Sequence, residues 1–355
     1  MSFQPMLGFR ADGVDLEDPV HYRASIAGEA AFLPAFAYDS AVFARLEDEK
    51  IWTRAWVPMG AHARIPRTGD LLPHTVGEHG VHLRRLADGT VQGYFNFAQH
   101  GGCRFVPRQC QTGTKTHCFY TSCGHSRDRD VIPANADGSE PPEMYMFVGN
   151  NPLKQRPVRT ALAGPVAFVC LDPVASPDDV EGDDPPEFDG CGGAMHVPVA
   201  HWKAEARFNW KLALTAAERL VKGGTPDAPV ALRALPPNLI TWNHDGMVVL
   251  VIAQPVGPAQ TMLHVDVLSR AALPNGTDAV VDAVRATVSA IAEGASRLQS
   301  EVTARAARDA SQNLLTVAFQ NWFVTRLLTR YEYPDRPLYA MPGRASNSGV
   351  NAGPF

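Results

Sequence analysis

Short apolar runs separated by turn residues dominate the first half of this chain. Between residues 51 and 148 the runs WVPMGAHARIP, LLPHTVGEHGVHLRRL and VQGYFNF are divided by the turn sequences RTGD and ADGT. Runs of this length, bounded by Gly, Asp and Pro, are typical of antiparallel strands joined by tight turns. The region therefore predicts a small antiparallel β domain.

A different pattern follows the apolar run GPVAFVCLDP and the acidic, Pro-rich connection SPDDVEGDDPPEFDG. The segment AHWKAEARFNWKLALTAAERLVKGG predicts a strand that leads into an amphipathic helix. NLITWNHDGMVVLVIAQPVGP and QTMLHVDVLSRAAL predict paired antiparallel strands. Asp278 is expected to cap a long helix that extends to Leu328, is interrupted near Gly294 and packs on that sheet.

Charge and composition exclude several functions. The formal net charge is −5 and the basic residues are scattered, which argues against a nucleic-acid partner. No segment approaches the roughly 20 apolar residues of a membrane span, and the N-terminus lacks a leader pattern, so we expect a cytoplasmic protein that binds no membrane. There is no G-x-S-x-G, phosphate loop or strand-linked G-x-G-x-x-G.

The cysteines indicate metal chemistry. Six cysteines in 355 residues are too few for a disulfide framework. Four of them, Cys103, Cys110, Cys118 and Cys123, nevertheless lie close together in one short stretch.

Residues 52–130 contain the sequences W-x3-W-VPMG, IPRTGD, DGT-VQGYFNFAQHGGCRF and CFYT. This stretch resembles the Rieske domain of ring-hydroxylating oxygenase α subunits of the α-only type, in which C-x-H and C-x2-H loops hold a [2Fe–2S] cluster. His100 and Cys118 stand at ligand positions, whereas Ala98 replaces a cysteine and Thr121 replaces a histidine. Because two thiolates hold one iron and two imidazoles the other, the resemblance implies that each iron has lost a ligand.

Other donors stand near these positions. A relocated [2Fe–2S] cluster or a zinc ion could use His100, Cys103, Cys118, Cys123 and His125. The alternative is that these residues are ordinary buried cysteines and surface histidines. We favour an empty site, and therefore expect no cofactor.

The second centre of the same family is a mononuclear iron on a helix with the approximate pattern N-W-K-x3-E-N-x2-D/E-x2-H-x4-H. The present chain keeps Asn209–Leu212 and then has Thr215, Arg219 and Lys222 at positions where the pattern needs other residues. Lys222 stands where the first histidine belongs, and no histidine occurs between residues 201 and 244. The resemblance implies that no two-histidine, one-carboxylate triad can form.

Two details of this second centre stay open. Glu301 and Asp309 are alternative remnants of the third ligand. Glu218, four residues before Lys222, either pairs with that ammonium at the former ligand position or forms an ordinary exposed helix pair with it. Neither alternative restores an iron site.

The predicted fold class is α+β, with an antiparallel β Rieske-like domain and a catalytic-type domain in which helices cover an antiparallel sheet. We expect a helical segment at residues 1–50 that packs on the second domain. The Rieske-like domain is placed at residues 51–172, an acidic Pro-rich linker at 173–190 and the catalytic-type domain at 191–355.

The resemblance implies three candidate functions. The preferred one is a non-catalytic, structural or regulatory α-like subunit, joined to an intact Rieske oxygenase α subunit that acts on an aromatic or polycyclic substrate. Such assemblies are trimers or hexamers in which the Rieske domain of one chain faces the catalytic iron of its neighbour. The alternatives are an active oxygenase with rearranged ligands and a metal-free binding protein for an apolar small molecule.

Overall fold

A computed structural model of the chain describes residues 9–95, 130–137, 156–173, 196–222, 232–270, 277–304 and 314–329. The N-terminal part is made of short elements: β1 (Arg10–Ala11), β2 (Val14–Asp15), α1 (Arg23–Ile26), α2 (Phe36–Asp39) and α3 (Ala41–Glu47). Ser40 caps α3, because its hydroxyl accepts a 3.2 Å hydrogen bond from the Phe43 amide. A π-helical turn, Asp48–Trp52, continues α3 toward the first sheet.

The first sheet has six antiparallel strands. They are β3 (Val57–Ala61), β4 (Leu71–Val76), β5 (His79–Arg85), β6 (Val91–Phe95), β7 (Arg156–Ala163) and β8 (Val166–Cys170). Their spatial order is β3-β8-β7-β6-β5-β4. Residues 130–137 lie against the start of β4, where Ile132 and Leu71 exchange two 2.9 Å backbone hydrogen bonds.

The second sheet has five antiparallel strands. They are β9 (Val197–Ala206), β10 (Arg233–Leu235), β11 (Leu239–His244), β12 (Met247–Gly257) and β13 (Gln260–Ser269), in the order β10-β11-β12-β13-β9. The β11–β12 hairpin closes at Asp245 and Gly246, whose φ angles are 45° and 76°. A two-residue Asp-Gly turn with both φ angles positive matches the twist of paired strands.

Three longer helices complete the described fold: α4 (Lys211–Lys222), α5 (Thr277–Thr303) and α6 (Leu314–Leu328). Two details of the predicted long helix were wrong. Asp278 lies inside the first turn, because α5 begins at Thr277, and α5 continues without interruption through Gly294. A Cβ at Gly294 would lie 3.3 Å from Cβ of Ala216, so this glycine allows α4 and α5 to approach closely.

Strand β12 places the second sheet between two apolar layers. Val248, Leu250 and Ile252 belong to a cluster that includes Trp56 and Phe168 of the first half of the chain. The alternate residues, such as Val249 and Val251, belong to the larger core that also contains residues of α4, α5 and α6. This alternation follows from the two-residue period of a strand. The predicted α+β class with antiparallel sheets is confirmed.

None of the helices in the described part of the chain is long and apolar enough to cross a lipid bilayer. The domain boundaries stay predictions, and most of the expected linker lies outside the described residues.

Candidate functional site

The positions predicted for the first metal centre cannot be placed. Ala98, His100, Cys118 and Thr121 lie outside the described residues, and so do the alternative donors Cys103, Cys123 and His125. The assignment of these residues stays a prediction.

The helix predicted to have carried the mononuclear iron is α4. Thr215 is partly buried on this helix. The guanidinium Nη1 of Arg219 lies 3.8 Å from Oε2 of Glu301 on α5, and both side chains are about half exposed. The same guanidinium lies 5.6 Å from the ring centroid of Phe32. Arg219 stands at a position where the resemblance predicts that a residue of the iron site has been lost. The structure therefore pairs Arg219 with Glu301, one of the two candidate remnants of the third iron ligand.

Lys222 and Glu218, the other two residues predicted on α4, differ in what the structure describes. Lys222 ends α4, but its side chain lies outside the described residues, as does the whole of Asp309. Glu218 is only 4% exposed, so the prediction of an exposed Glu218–Lys222 pair was wrong. The reason is tertiary: α5, α6, β10 and β11 all contact α4, so that part of its polar face turns inward.

These residues do not fit the mononuclear iron that the resemblance implies. Within the described ranges, no group of three or more His, Cys, Asp or Glu side chains is placed to hold a metal ion. Arg219 offers no lone pair and brings a positive charge, and it already pairs with the Glu301 carboxylate. The described length of α4 contributes no imidazole.

The part of the motif that survives is structural. Asn209 caps α4, since its Oδ1 accepts a 3.2 Å hydrogen bond from the Lys211 amide. Its side-chain amide donates to the Pro258 carbonyl at 2.6 Å, and its backbone N–H donates to Oε1 of Gln299 at 2.8 Å. One residue thus ties the start of α4 to the β12–β13 turn and to α5.

Lys211 and Glu47 form a buried ion pair between α4 and α3. Their side chains are 1% and 3% exposed, and Nζ of Lys211 contacts Oε1 of Glu47. The indole N–H of Trp210 donates to the other carboxylate oxygen at 3.3 Å. Four rings have centroids between 5.0 and 5.5 Å from the ammonium: those of Tyr38, Phe43, Trp210 and Phe323.

Burial opposes both charges of this pair. It lowers the pKa of the Lys211 ammonium and raises the pKa of the Glu47 carboxyl, although each group partly offsets the effect on the other. Such a pair is stable only when both partners are present, because either charge alone would be buried without compensation. The sequence N-W-K therefore joins the N-terminal segment to α4.

A polar network at the junction of the two sheets was not predicted. Nε2 of His264 on β13 lies 2.7 Å from Oε1 of Gln254 on β12. The Gln254 amide nitrogen donates to the Thr75 carbonyl on β4 at 2.6 Å and lies 3.4 Å from Nε2 of His74. The available signal was Gln254 itself, a polar residue inside the apolar run MVVLVIAQPV.

A cleft of about 940 Å³ lies beside the C-terminal end of α5. It is lined by Phe32 and Phe36 from the N-terminal segment, by Val302 from α5, and also by Asp12 and Glu29. This volume lies within the range of about 300 to 1,000 Å³ that is usual for small-molecule pockets. No pattern in the sequence indicates a cleft at this place.

The comparisons with known proteins agree with the fold. No family model matches the chain. It is 29% identical over 109 residues to the α subunit of an N,N-dimethyl phenylurea N-demethylase from Sphingobium sp. (strain YBL2), which covers 30% of this chain and 24% of the relative. It is 27% identical over 198 residues to the oxygenase subunit of a glycine betaine monooxygenase from Chromohalobacter salexigens, covering 53% and 41%. The chain thus spans less than half the length of these curated relatives.

Among solved structures, a quaternary ammonium Rieske monooxygenase in complex with its substrate gamma-butyrobetaine superimposes with a TM-score of 0.59. The superposition covers 82% of this chain and 94% of that chain at 14% identity, a level at which the likeness concerns the fold. The family resemblance inferred from the motifs of residues 52–130 and 209–212 is confirmed. This chain resembles the Rieske oxygenase α subunits in sequence, and it has their fold.

Proposed function

We propose that this chain is a non-catalytic, structural or regulatory α-like subunit that assembles with an intact Rieske oxygenase α subunit. The observation that carries this proposal is that the start of α4 keeps the structural residues of the family motif, whereas the later part of α4 lacks its iron ligands. Asn209, Trp210 and Lys211 keep buried contacts that hold the fold together. Arg219, three turns along the same helix, carries a positive charge where the family has a carboxylate, and it pairs with Glu301.

The first centre supports the same proposal from the sequence. Ala98 has no lone pair, and the Thr121 hydroxyl is a poor substitute for imidazole on iron. A [2Fe–2S] cluster would supply one-electron transfer if it were bound, but its usual set of two thiolates and two imidazoles is incomplete here. A subunit whose role is assembly can lose the metal ligands at both centres, provided that it keeps the fold that contacts its partner.

The proposed partner acts on an aromatic or polycyclic substrate. Relatives are named for biphenyl and for dimethyl phenylurea, and a quaternary ammonium substrate is the other class that the comparisons suggest. In a strictly alternating ring each intact catalytic centre would face an empty Rieske-like domain. The assembly that we propose therefore also brings intact subunits into contact with one another.

Metal analysis tests the non-catalytic part of this proposal. We expect the anaerobically purified chain to be folded and colourless, with only trace iron and acid-labile sulfide. An intact biphenyl dioxygenase α subunit purified in parallel controls for loss of metal during preparation. Stoichiometric iron with sulfide would contradict the proposal and would require a relocated cluster.

A matched variant checks the alignment itself. If Ala98 and Thr121 are the lost ligand positions, the double variant Ala98→Cys, Thr121→His should gain iron, sulfide and visible absorption.

The assembly part of the proposal is tested separately by light scattering on a size-exclusion column. The chain mixed with an intact α subunit from the same source should elute as one trimeric or hexameric species that contains both chains, and separate elution would contradict the assembly role.

The aromatic walls of the cleft, Phe32 and Phe36, favour a second candidate function, a metal-free binding protein for an apolar small molecule. In that case 2-hydroxybiphenyl should bind the isolated chain in a calorimetric titration. Filling the cleft with Ala31→Trp should weaken binding by at least about tenfold, the factor that corresponds to 1.4 kcal/mol. Ala24→Trp is the matched control, because Ala24 is exposed on α1 and does not line the cleft. Binding that is equal in both variants would exclude this cleft.

A further inference from the structure

The cleft beside the C-terminal end of α5 carries charge of one sign. Three carboxylate side chains line it: Asp12 from the β1–β2 turn, Glu29 from the loop after α1 and Asp39 at the end of α2. All three are exposed, and none of them forms an ion pair or a side-chain hydrogen bond with another described residue. Among the described residues that line the cleft there is no Lys, Arg or His. A bound molecule would therefore meet negative charge that the lining does not offset.

The end of α5 adds to this negative charge. Val302 and Thr303 line the cleft, and Thr303 is the last residue of this 27-residue helix. The last carbonyl groups of a helix lack partners within the helix, and the aligned peptide dipoles give this end a partial negative charge. A cation is stabilised when it lies beside the last turn of such a helix.

A buried amide stands at the wall of the cleft. Gln320 on α6 is 2% exposed, and its Nε2 donates a 3.0 Å hydrogen bond to the carbonyl of Ala31, a residue that lines the cleft. Oε1 of the same amide is buried and has no hydrogen-bond partner among the residues that the structure describes. A buried carbonyl oxygen without a donor keeps its negative potential, because nothing neutralises its dipole. This oxygen is thus a further source of negative potential beside Ala31.

The aromatic rings of the cleft suit a cation as well as an apolar group. Phe32 and Phe36 present rings whose faces are negative and whose surfaces are apolar. The guanidinium carbon of Arg219 lies 5.6 Å from the centroid of the Phe32 ring, within the range of a cation–π contact. The Phe32 ring therefore already attracts a cation of the chain itself. The charge of Arg219 is offset by Glu301, 3.8 Å away.

We infer that the cleft selects molecules that combine an aromatic body with a positively charged head, and that its ligand class is an arylalkyl ammonium. The body covers the apolar surface of Phe32 and Phe36. The ammonium, which only donates hydrogen bonds, faces the carboxylates and the end of α5. This inference rests on the binding role of the cleft in the second candidate function and adds the charge of the ligand. It does not depend on whether the chain is catalytic.

Three molecules with the same aromatic body isolate the effect of charge: 2-phenylethylammonium, neutral 2-phenylethanol and the anion 3-phenylpropionate. In calorimetric titrations of the full chain at neutral pH and low salt, the ammonium should bind about tenfold more tightly than the alcohol. This factor combines about fivefold for one ion pair at about 4 Å in water with about twofold for an exposed cation–π contact. The anion should bind more weakly than the alcohol, and added salt should reduce the difference.

A triple variant locates the source of the preference. Asp12→Asn, Glu29→Gln, Asp39→Asn removes the three charges and changes the shape of the side chains little. It should lower the affinity for the ammonium to that for the alcohol and leave the affinity for the alcohol unchanged. Filling the cleft with Ala31→Trp should weaken the binding of both molecules.

The matched control removes three charges from other parts of the chain. Glu205→Gln, Asp282→Asn, Glu293→Gln changes the net charge by the same amount, and these three residues are exposed and do not line the cleft. This control should keep the full preference for the ammonium. An equal loss in the two triple variants would overturn the inference, because the preference would then follow the net charge of the chain and not the cleft.

The titrations also distinguish a failure of this inference from a failure of the second candidate function. Equal affinity for the three molecules, or tightest binding of the anion, would refute charge selection while the cleft still binds apolar molecules. Binding of 2-hydroxybiphenyl without binding of the ammonium would have the same meaning. Ammonium binding that is unchanged in Ala31→Trp would place the ligand outside the cleft and would also refute the inference.

Discussion

Replacing Lys211 with methionine is expected to lower the free energy of unfolding by about 3–5 kcal/mol, as measured by urea denaturation. The change leaves the Glu47 carboxylate buried, with the Trp210 indole N–H as its one side-chain donor among the residues that the structure describes. A carboxylate without a counter-charge in this position has to unfold its surroundings or take up a proton. Glu301→Gln is the matched control, because its ion pair with Arg219 is half exposed and should contribute less than about 1 kcal/mol.

The pH dependence and a double variant separate charge from packing. Burial raises the folded-state pKa of Glu47 above its unfolded value, so the folded chain gains stability from this group as pH falls through that interval. Because the Lys211 charge opposes this rise, the pKa of Glu47 is expected to be higher still in Lys211→Met, so the deficit of the variant relative to the wild type should shrink at lower pH. The double variant Glu47→Gln, Lys211→Met keeps an acceptor for Trp210 and should recover most of the loss. If the two single losses simply add, the ion pair is not the cause.

Gly77→Ala should produce the second large effect, a loss of about 3 kcal/mol in the free energy of unfolding. Gly77 turns from β4 into β5 with a φ of +57°, and a Cβ there would lie 1.9 Å from Oδ1 of Asp48 and 2.8 Å from Cβ of Trp52. Displacing Asp48 would also break its 2.9 Å hydrogen bond from the Glu78 amide and its 3.3 Å contact with Nε2 of His79.

The chain provides a control for the backbone part of this effect. Gly246 has a φ of +76°, and a Cβ there would meet nothing within 4 Å. Gly246→Ala should therefore cost only the left-handed conformation, about 1–2 kcal/mol. Equal losses in the two variants would mean that the contact between the β4–β5 turn and the π-helical turn at Asp48 contributes nothing.

Local patterns in the sequence were sufficient to predict the fold class and the family resemblance. Turn residues between short apolar runs predicted the antiparallel strands β3 to β6 and β11 to β13, because a turn and the alternation of a strand depend on neighbouring residues. The resemblance also depended on short local motifs, since the ligands of each metal centre lie a fixed number of residues apart. These motifs predict the ligand substitutions, and the described part of α4 contributes no imidazole.

The errors and omissions concern contacts between distant residues. Gly294 was expected to interrupt α5, but a close approach to Ala216 explains a glycine inside an unbroken helix. One of the two alternatives for Glu218 placed it at the surface, but other elements contact α4 and bury this side chain. No local pattern could have paired Lys211 with Glu47, since 164 residues separate them.

The sequence by itself thus predicted the strands and the family resemblance, because each depends on residues close together in the chain. Only the tertiary structure decided that the surviving N-W-K motif supports a buried ion pair, that Arg219 meets Glu301, and that three carboxylates line one cleft. The physical reason is that burial and Coulomb interaction depend on distance in space, and the partners come together only when the two sheets and the helices have packed.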